Sequence, residues 1–246
     1  MKIENLYKTY LKHRKVSTDS RQIEPNSIFF ALRGDNFDGN VFAKQSLENG
    51  AAVAVISDKK YFIDERTILV EDTLQTLQQL AVYHRIKSKY KVVGITGTNG
   101  KTTTKELVSR VLSKKIKTFA TFGNLNNHIG VPLTILNMPE NIEIAVIEMG
   151  ANHLGEIYEL CKMSKPDFGL ITNIGKAHLE GFGSQENLIS TKLGLWEAVK
   201  HKNGIFFLNA NDEILKTRII DYDNIIKYGN AEKSVVKATK VFDDLY

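Results

Sequence analysis

The sequence has few of the features that mark secreted, disulfide-stabilised or membrane-spanning proteins. It contains one cysteine, Cys161, in 246 residues, so no intrachain disulfide can form, which fits a reducing compartment. The first 15 residues have no continuous apolar core, unlike a secretory signal. No apolar run approaches the length of a transmembrane helix. We therefore expect a soluble cytoplasmic protein that makes no membrane contact.

The charge pattern gives no sign of nucleic-acid binding either. The net charge of +5 comes from 33 Lys and Arg against 28 Asp and Glu, and the lysines are scattered along the chain. Internal repeats and low-complexity tracts are also absent. We expect no nucleic-acid partner.

Strand-like and helix-like segments alternate, which predicts an α/β protein with parallel strands. In the first part of the chain, the strands are expected at 27–32 and 51–56 and the helices at 41–49 and 73–87. The polar segment 87–91 predicts a domain boundary, giving a first domain at 1–86 and a second at 87–246. In the second domain, strands are expected at 92–96, 117–122, 142–148, 168–173 and 205–208. A helix is expected from about Thr102, with Leu107, Val108, Val111 and Leu112 on its apolar face. After Asn209 the strand and helix signals are weak.

Glycines, amides, an acid and a histidine follow four successive predicted strands. These loops lie at 97–101, 123–132, 148–153 and 173–178. Ligands of open parallel sheets bind beyond the carboxyl ends of the strands, so the four loops predict a single site.

The first of these loops lies within KVVGITGTNGKTTTKE (residues 91–106) and has the chemistry of a phosphate site. Its spacing is shorter than in the common P-loop, because only two residues separate Gly97 from Gly100. Backbone N–H groups at a helix N-terminus suit phosphate oxygens, and Lys101 adds a positive charge. The hydroxyl of Thr102 could reach a bound Mg²⁺, with Glu148 as an acidic partner for the metal. The alternatives are an incidental turn for the loop, a solvated strand end for Glu148 and a structural role for His178.

Lys192 lies in a predicted helix at 185–200, in the middle of its apolar face. Leu188, Leu195, Trp196 and Val199 stand at offsets of −4, +3, +4 and +7 from it. One interpretation is a lysine whose ammonium extends to water along the apolar surface. The other is a lysine of depressed pKa that can react or be modified.

Together these motifs resemble the Mur ligase family, whose ATP loop has the short glycine spacing of residues 97–103. Within the family, residues 123–132 and 148–157 are similar to the member that adds D-alanyl-D-alanine. Residues 18–21, 29–34 and 38–39 resemble its UDP-sugar-binding domain. The resemblance implies a small α/β UDP-binding domain followed by a P-loop-type parallel-sheet ATPase domain. It also implies ATP and Mg²⁺ as cofactors, and a monomer that joins D-alanyl-D-alanine to UDP-N-acetylmuramoyl-tripeptide through an acyl phosphate in peptidoglycan precursor synthesis.

The resemblance also implies roles for individual residues. ATP would be held by Gly97, Thr98, Asn99, Gly100, Lys101, Thr102 and Thr103. Thr102 and Glu148 would hold a first Mg²⁺, and His178 would help to bind a second. Lys192 matches a lysine that is carbamylated in the family. By this resemblance, the expected catalytic residues are Lys101, His178 and Lys192. The expected substrate contacts are Ser20, Arg21, Asp38, Gly39, Asn126 and Asn127.

Two features depart from the family pattern. Gly194 stands where the family usually has an acidic residue, two positions after the lysine. Family members are also much longer, so we expect an incomplete ATPase domain, no C-terminal dipeptide-binding domain and no full turnover from this chain alone. The alternatives are the sister ligase that adds the third residue, folylpolyglutamate synthase, and a fragment that only binds nucleotide or UDP-sugar.

Overall fold

The structure is a computed structural model that describes residues 2–175, 179–230 and 234–237. The chain divides into two compact units, one formed by residues 1–88 with 128–140 and the other by residues 89–127 with the chain from 141 onward. Within the described ranges, no helix is both long enough and apolar enough to cross a lipid bilayer.

The elements alternate along the chain as the pattern predicts. The helices are α1 (Ile3–His13), α2 (Ala43–Glu48), α3 (Thr73–Lys87), α4 (Lys101–Leu112), α5 (Gly130–Leu136), α6 (Glu156–Ser164), α7 (Leu179–Phe182), α8 (Gln185–His201) and α9 (Glu213–Arg218). The strands are β1 (Val16–Ser17), β2 (Ile28–Phe30), β3 (Arg33–Gly34), β4 (Phe37–Asp38), β5 (Val53–Ile56), β6 (Thr67–Leu69), β7 (Lys91–Thr96), β8 (Thr118–Ala120), β9 (Ile144–Glu148), β10 (Phe168–Ile171), β11 (Ile205–Asn209) and β12 (Ile225–Tyr228). Short 3-10 helices lie at Gly39–Phe42 and Lys59–Tyr61.

The first unit is built on a parallel sheet of order β1-β2-β5-β6. Every residue of β2 and β5 is buried, as expected for parallel strands covered on both faces. A core cluster that includes Phe29, Leu47 and Ile56 packs on one face of this sheet. Strands β3 and β4 form a separate antiparallel pair.

Helix α5 belongs to the first unit, although the predicted boundary assigned its residues to the second domain. All seven of its residues are buried, and it packs against α3. The Tyr10 hydroxyl donates to Leu136 O at 2.7 Å, and Val16 N donates to Asn137 Oδ1 at 2.9 Å. These contacts join segments more than a hundred residues apart in sequence, so a boundary placed by local polarity alone does not find them.

The second unit contains a parallel sheet of order β12-β11-β10-β7-β9-β8. The four strands predicted to end in functional loops are therefore neighbours, in the order β10-β7-β9-β8, and all run in one direction. Their carboxyl ends lie at a single edge of the sheet. The predicted α/β class with parallel strands is confirmed.

The predicted apolar face of α4 is half wrong. Val108 and Leu112 pack on the core cluster of the sheet, whereas Leu107 is 60% and Val111 71% exposed. Residues 108 and 112 are four apart and share a face, and their immediate predecessors lie about 100° around the helix. Lys105, at three residues before Val108, occupies the buried face instead.

Candidate active site

The glycine loop that follows β7 opens helix α4. Gly100 is the N-cap of α4 with φ of 75°, and Gly97 has φ of 147°. A Cβ atom on Gly97 would lie 1.9 Å from Thr172 Oγ1, so no other residue fits that position. The first-turn N–H groups of α4 have no intrahelical acceptors, which makes this end of the helix suited to an anion.

Residues 172–175, which follow β10, brace the loop from one side. Thr172 Oγ1 donates to Asn99 O at 2.6 Å, and the side chain of Asn173 contacts both Asn99 O and Asn99 N at 3.0 and 3.1 Å. Thr98 N donates to Asn173 O at 3.0 Å, and Gly175 N donates to Thr98 Oγ1 at 2.9 Å. The loop conformation is therefore fixed by the neighbouring strand end as well as by its own glycines.

Two lysines converge on the carbonyl oxygen of Gly97. Lys101 Nζ and Lys192 Nζ each donate to Gly97 O at 3.0 Å, and Lys101 Nζ also donates to Thr98 O at 3.0 Å. Lys192 comes from α8 and is 5% exposed, so the interpretation in which its ammonium reaches water is wrong. Burial, and then the charge of Lys101, lower the pKa of Lys192 to about 8. The pair creates a strongly positive region beside the loop.

Glu148 ends β9 and is 1% exposed, so the alternative of a solvated strand end is wrong. Its Oε1 atom accepts from Asn126 Nδ2 at 2.8 Å. Its backbone N donates to Thr121 Oγ1 at 3.0 Å. Among the described residues, Oε2 has no hydrogen-bond partner. A buried carboxylate oxygen without a partner is costly, and a bound cation would remove that cost.

The remaining predicted residues contribute differently. Asn99, Thr102 and Thr103 are exposed on the loop and the first turn of α4, and Asn127 is exposed next to Asn126. Within the described ranges, no group of three or more His, Cys, Asp or Glu could hold a metal alone. A cation at Glu148 would therefore need oxygen ligands from phosphate or water as well. His178 lies outside the described residues.

Asn173 begins one of the four loops predicted to form the site, and it braces the glycine loop together with Thr172. Thr172 and Lys105 were not predicted as site residues, and Lys105 is fully buried in the second turn of α4. The only available signal for Lys105 was its spacing of three residues from Val108. A lysine next to a glutamate in a helix ordinarily lies in solvent, so that signal was weak.

The first unit contains a separate pocket of about 650 Å³. It is lined by Thr18, Asp19, Ser20, Arg21, Phe29, Phe37, Gly39, Phe42 and Gln45. Three of the four residues predicted there, Ser20, Arg21 and Gly39, therefore line it. Gly39 has no room for a side chain, because a Cβ atom would lie 2.5 Å from Leu32 O.

The fourth predicted residue, Asp38, does not belong to that lining. Its Oδ1 atom accepts from Asn40 N at 2.9 Å and from Asn40 Nδ2 at 2.6 Å, and it caps the 3-10 helix at Gly39–Phe42. The hydrogen bond from the Asn40 side chain lowers the pKa of Asp38. Asp38 therefore fixes the backbone of the short helix that supplies Gly39 and Phe42 to the lining.

The departure at Gly194 has a steric reason. Helix α8 packs on α6 at this point, and a Cβ atom on Gly194 would lie 3.2 Å from both Cβ and N of Tyr158. Any side chain at position 194, including the acidic one expected from the family pattern, would therefore require α6 to shift by a few tenths of an ångström.

Two curated proteins of the same name are similar in sequence to this chain. The chain is 42% identical over 204 residues to UDP-N-acetylmuramoyl-tripeptide–D-alanyl-D-alanine ligase of Bacillus subtilis, covering 82% of this chain and 44% of that protein. It is 37% identical over 229 residues to the protein of the same name from Escherichia coli, covering 92% of this chain and 50% of that protein. The chain thus spans about half the length of the curated relatives it matches.

Solved structures agree in fold. MurF from Acinetobacter baumannii superposes with a TM-score of 0.80 at 32% identity, covering 97% of this chain and 55% of that one. MurF from Thermotoga maritima in complex with ADP gives a TM-score of 0.80 at 36% identity, covering 89% and 51%. The family model described as Mur ligase family, catalytic domain, matches residues 13–85, and that for the Mur ligase middle domain matches residues 95–244. The chain belongs to the Mur ligase family.

Proposed function

We propose that this chain supplies the nucleotide-binding and UDP-sugar-binding parts of an ATP-dependent ligase. The ligase joins D-alanyl-D-alanine to UDP-N-acetylmuramoyl-tripeptide in peptidoglycan precursor synthesis. The observation that carries the proposal is the convergence of Lys101 and Lys192 on the glycine loop that opens α4. The names of the Bacillus and Escherichia relatives and the ADP complex of the Thermotoga protein support it.

In the proposed reaction, the terminal carboxylate of the tripeptide attacks the γ-phosphorus of ATP. The bond from that phosphorus to the bridging oxygen breaks, so ADP leaves and an acyl phosphate forms. The amine of D-alanyl-D-alanine then attacks the acyl carbon, loses a proton and displaces inorganic phosphate, which leaves a new peptide bond.

The glycine loop would bind the triphosphate through its backbone. The N–H groups of residues 98 and 99 are held by Asn173, so those of Gly100 and the first turn of α4, residues 101–103, would face the phosphate oxygens. Lys101 would exchange its carbonyl contacts for the outer phosphates. Fixed donors of this kind stabilise charge that builds up as a phosphoryl group is transferred. The brace at residues 172–175 keeps the donors in place.

Glu148 and Thr102 would hold a Mg²⁺ ion. The unpaired, buried Oε2 atom of Glu148 fits a hard cation, and the hydroxyl of Thr102 is a suitable oxygen ligand. A bound Mg²⁺ ion would neutralise part of the negative charge of the phosphates. Asn126 orients the carboxylate through its hydrogen bond to Oε1, and His178 is proposed for a second ion.

Lys192 is proposed to carry a carbamate. Its neutral amine would attack CO₂ and lose a proton, which converts the positive side chain into a carboxylate-like anion. The lowered pKa of about 8 increases the neutral fraction that this reaction needs. The anion would lie beside Lys101, which shares Gly97 O with Lys192 in the structure.

The pocket of the first unit is proposed to bind the UDP end of the substrate. It presents the polar groups of Ser20 and Arg21 together with the aromatic rings of Phe37 and Phe42. Aromatic faces and a few placed polar groups are typical of sites for nucleotide-like ligands.

A chimera tests the proposed function. The residues of the Bacillus relative that match this chain are replaced by those of the chain, and product formation is followed by mass spectrometry with ATP and Mg²⁺. We expect D-alanyl-D-alanine to be joined to UDP-N-acetylmuramoyl-tripeptide. A folded chimera that instead accepts the dipeptide precursor and adds a third residue would contradict the proposal. A folded chimera that binds ATP and UDP-N-acetylmuramoyl-tripeptide but forms no peptide bond would also contradict the proposal.

A further inference from the structure

Lys105 is a buried cation to which the proposed mechanism gives no role. It lies in α4, three residues after Thr102 and four after Lys101, with 0% of its surface exposed. Its Nζ atom donates to Thr121 O at 2.7 Å and pairs with Glu106 Oε1 at 2.9 Å. A buried ammonium is costly even when it is paired, and an apolar side chain of similar volume would often be more stable there. Packing alone therefore does not explain a lysine at this position.

The acceptor of that hydrogen bond connects Lys105 to the carboxylate of the site. Thr121 follows β8 and is buried. Its carbonyl oxygen accepts from Lys105, and its Oγ1 atom accepts from Glu148 N at 3.0 Å. Its own N donates to Val146 O at 3.0 Å, which fixes it to β9. One residue thus links the helix that bears Thr102 to the strand end that bears Glu148.

We propose that Lys105 is a positioning residue which, through Thr121, holds the first turn of α4 and the Glu148 carboxylate in a fixed relation for binding Mg²⁺ with the nucleotide. The inference rests on the proposed function, because Thr102 and Glu148 are its metal ligands. Their side chains come from different elements, α4 and β9, so their separation depends on what joins those elements. The Lys105–Thr121 link does so, because Lys105 lies one helical turn after Thr102 and Thr121 accepts from the backbone N of Glu148.

Lys105 and Thr121 would act as residues that orient metal ligands without binding the metal themselves. Groups that orient metal ligands typically change metal affinity by roughly ten- to a hundredfold when they are removed. A purely structural lysine would, when replaced, weaken binding of ATP with and without metal alike. A positioning lysine would weaken only the part of the affinity that Mg²⁺ adds.

The test measures that part in the 246-residue chain. Dissociation constants for ATP are determined by calorimetry with excess Mg²⁺ and with EDTA, and their ratio gives the gain from the metal. The variants are Lys105→Met, which removes the donor, and Thr121→Val, which removes the acceptor of Glu148 N. Thr121→Ser keeps that acceptor, and Lys162→Met serves as a matched control, since Lys162 is an exposed helical lysine paired with Glu159.

We expect the gain from Mg²⁺ to fall by roughly tenfold or more in Lys105→Met and Thr121→Val, with ATP affinity in EDTA unchanged. Thr121→Ser and Lys162→Met should keep the full gain. A folded Lys105→Met or a folded Thr121→Val with an unchanged gain would overturn the inference, and Thr121→Val can still overturn it if Lys105→Met does not fold. A chain without substitutions that shows no gain from Mg²⁺ would overturn the proposed function itself.

Discussion

Lys192 links burial to reactivity at the scale of a single residue. Its position on the apolar face of α8 followed from helical spacing alone, because Leu188, Leu195, Trp196 and Val199 are all buried around it. Its partner did not follow, since Gly97 lies 95 residues away in sequence. Only the fold brings the two together, and only then does the second ammonium, that of Lys101, enter as a cause of the lowered pKa.

We expect Lys192 to form a carbamate whose yield rises with pH. The reactive form is the neutral amine, and a pKa lowered to about 8 means that this form grows as pH rises through about 8. ¹³C NMR of the chain with ¹³C-labelled CO₂, held at constant dissolved CO₂ with Mg²⁺ and ATP, should show a carbamate signal that strengthens from about pH 7 to 9. Lys192→Arg should lack the signal. No difference between the unsubstituted chain and Lys192→Arg at any pH would contradict the carbamate.

At the scale of elements, the strand and helix order was predictable and the inward faces were less so. The strands β7, β8, β9 and β10 follow from apolar runs bounded by glycine-rich loops, and the parallel order places their ends together. The face of α4 was misassigned because four apolar residues at 107, 108, 111 and 112 form two adjacent rows. The row formed by Val108 and Leu112 packs on the sheet, and Lys105 is buried on the same face. A short stretch of sequence does not show which of two adjacent apolar rows will be buried.

The contact between α6 and α8 gives a prediction at this scale. Glycine to alanine ordinarily stabilises a helix by roughly 0.5–1 kcal/mol. At Gly194, however, the new Cβ atom would lie 3.2 Å from the backbone N of Tyr158, which cannot move without shifting α6. We expect Gly194→Ala to lower the free energy of unfolding by about 1–3 kcal/mol in urea denaturation, as overpacking does.

Ser190→Ala is the matched control, since Ser190 is exposed on the same helix. It should be neutral or slightly stabilising. A stabilising Gly194→Ala would show that the two helices are not held at this distance, and would leave the missing acidic residue without its steric explanation.

At the scale of the whole molecule, the sequence predicted two α/β parts and placed their division close to residue 88. It did not predict that residues 128–140 return to the first unit. Helix α5 is apolar apart from Thr134 and is buried on every side, so its sequence does not indicate which unit it packs in. Any separate study of the pocket in the first unit should therefore keep α5. A fragment of residues 1–86 would leave α3 without the helix that packs against it.

The glycine loop with Lys101 and Glu148 is proposed to bind a Mg²⁺-triphosphate, and calorimetric titration of the whole chain with ATP and with AMP measures this binding. We expect ATP to bind more tightly than AMP in the presence of Mg²⁺. Lys101→Ala should weaken ATP binding by roughly ten- to a hundredfold, the effect of losing one hydrogen bond to a charged group. AMP binding should be unchanged, and Lys162→Ala should bind ATP normally. Equal affinity for ATP and AMP, or a folded Lys101→Ala that binds ATP as tightly as the unsubstituted chain, would contradict the claim.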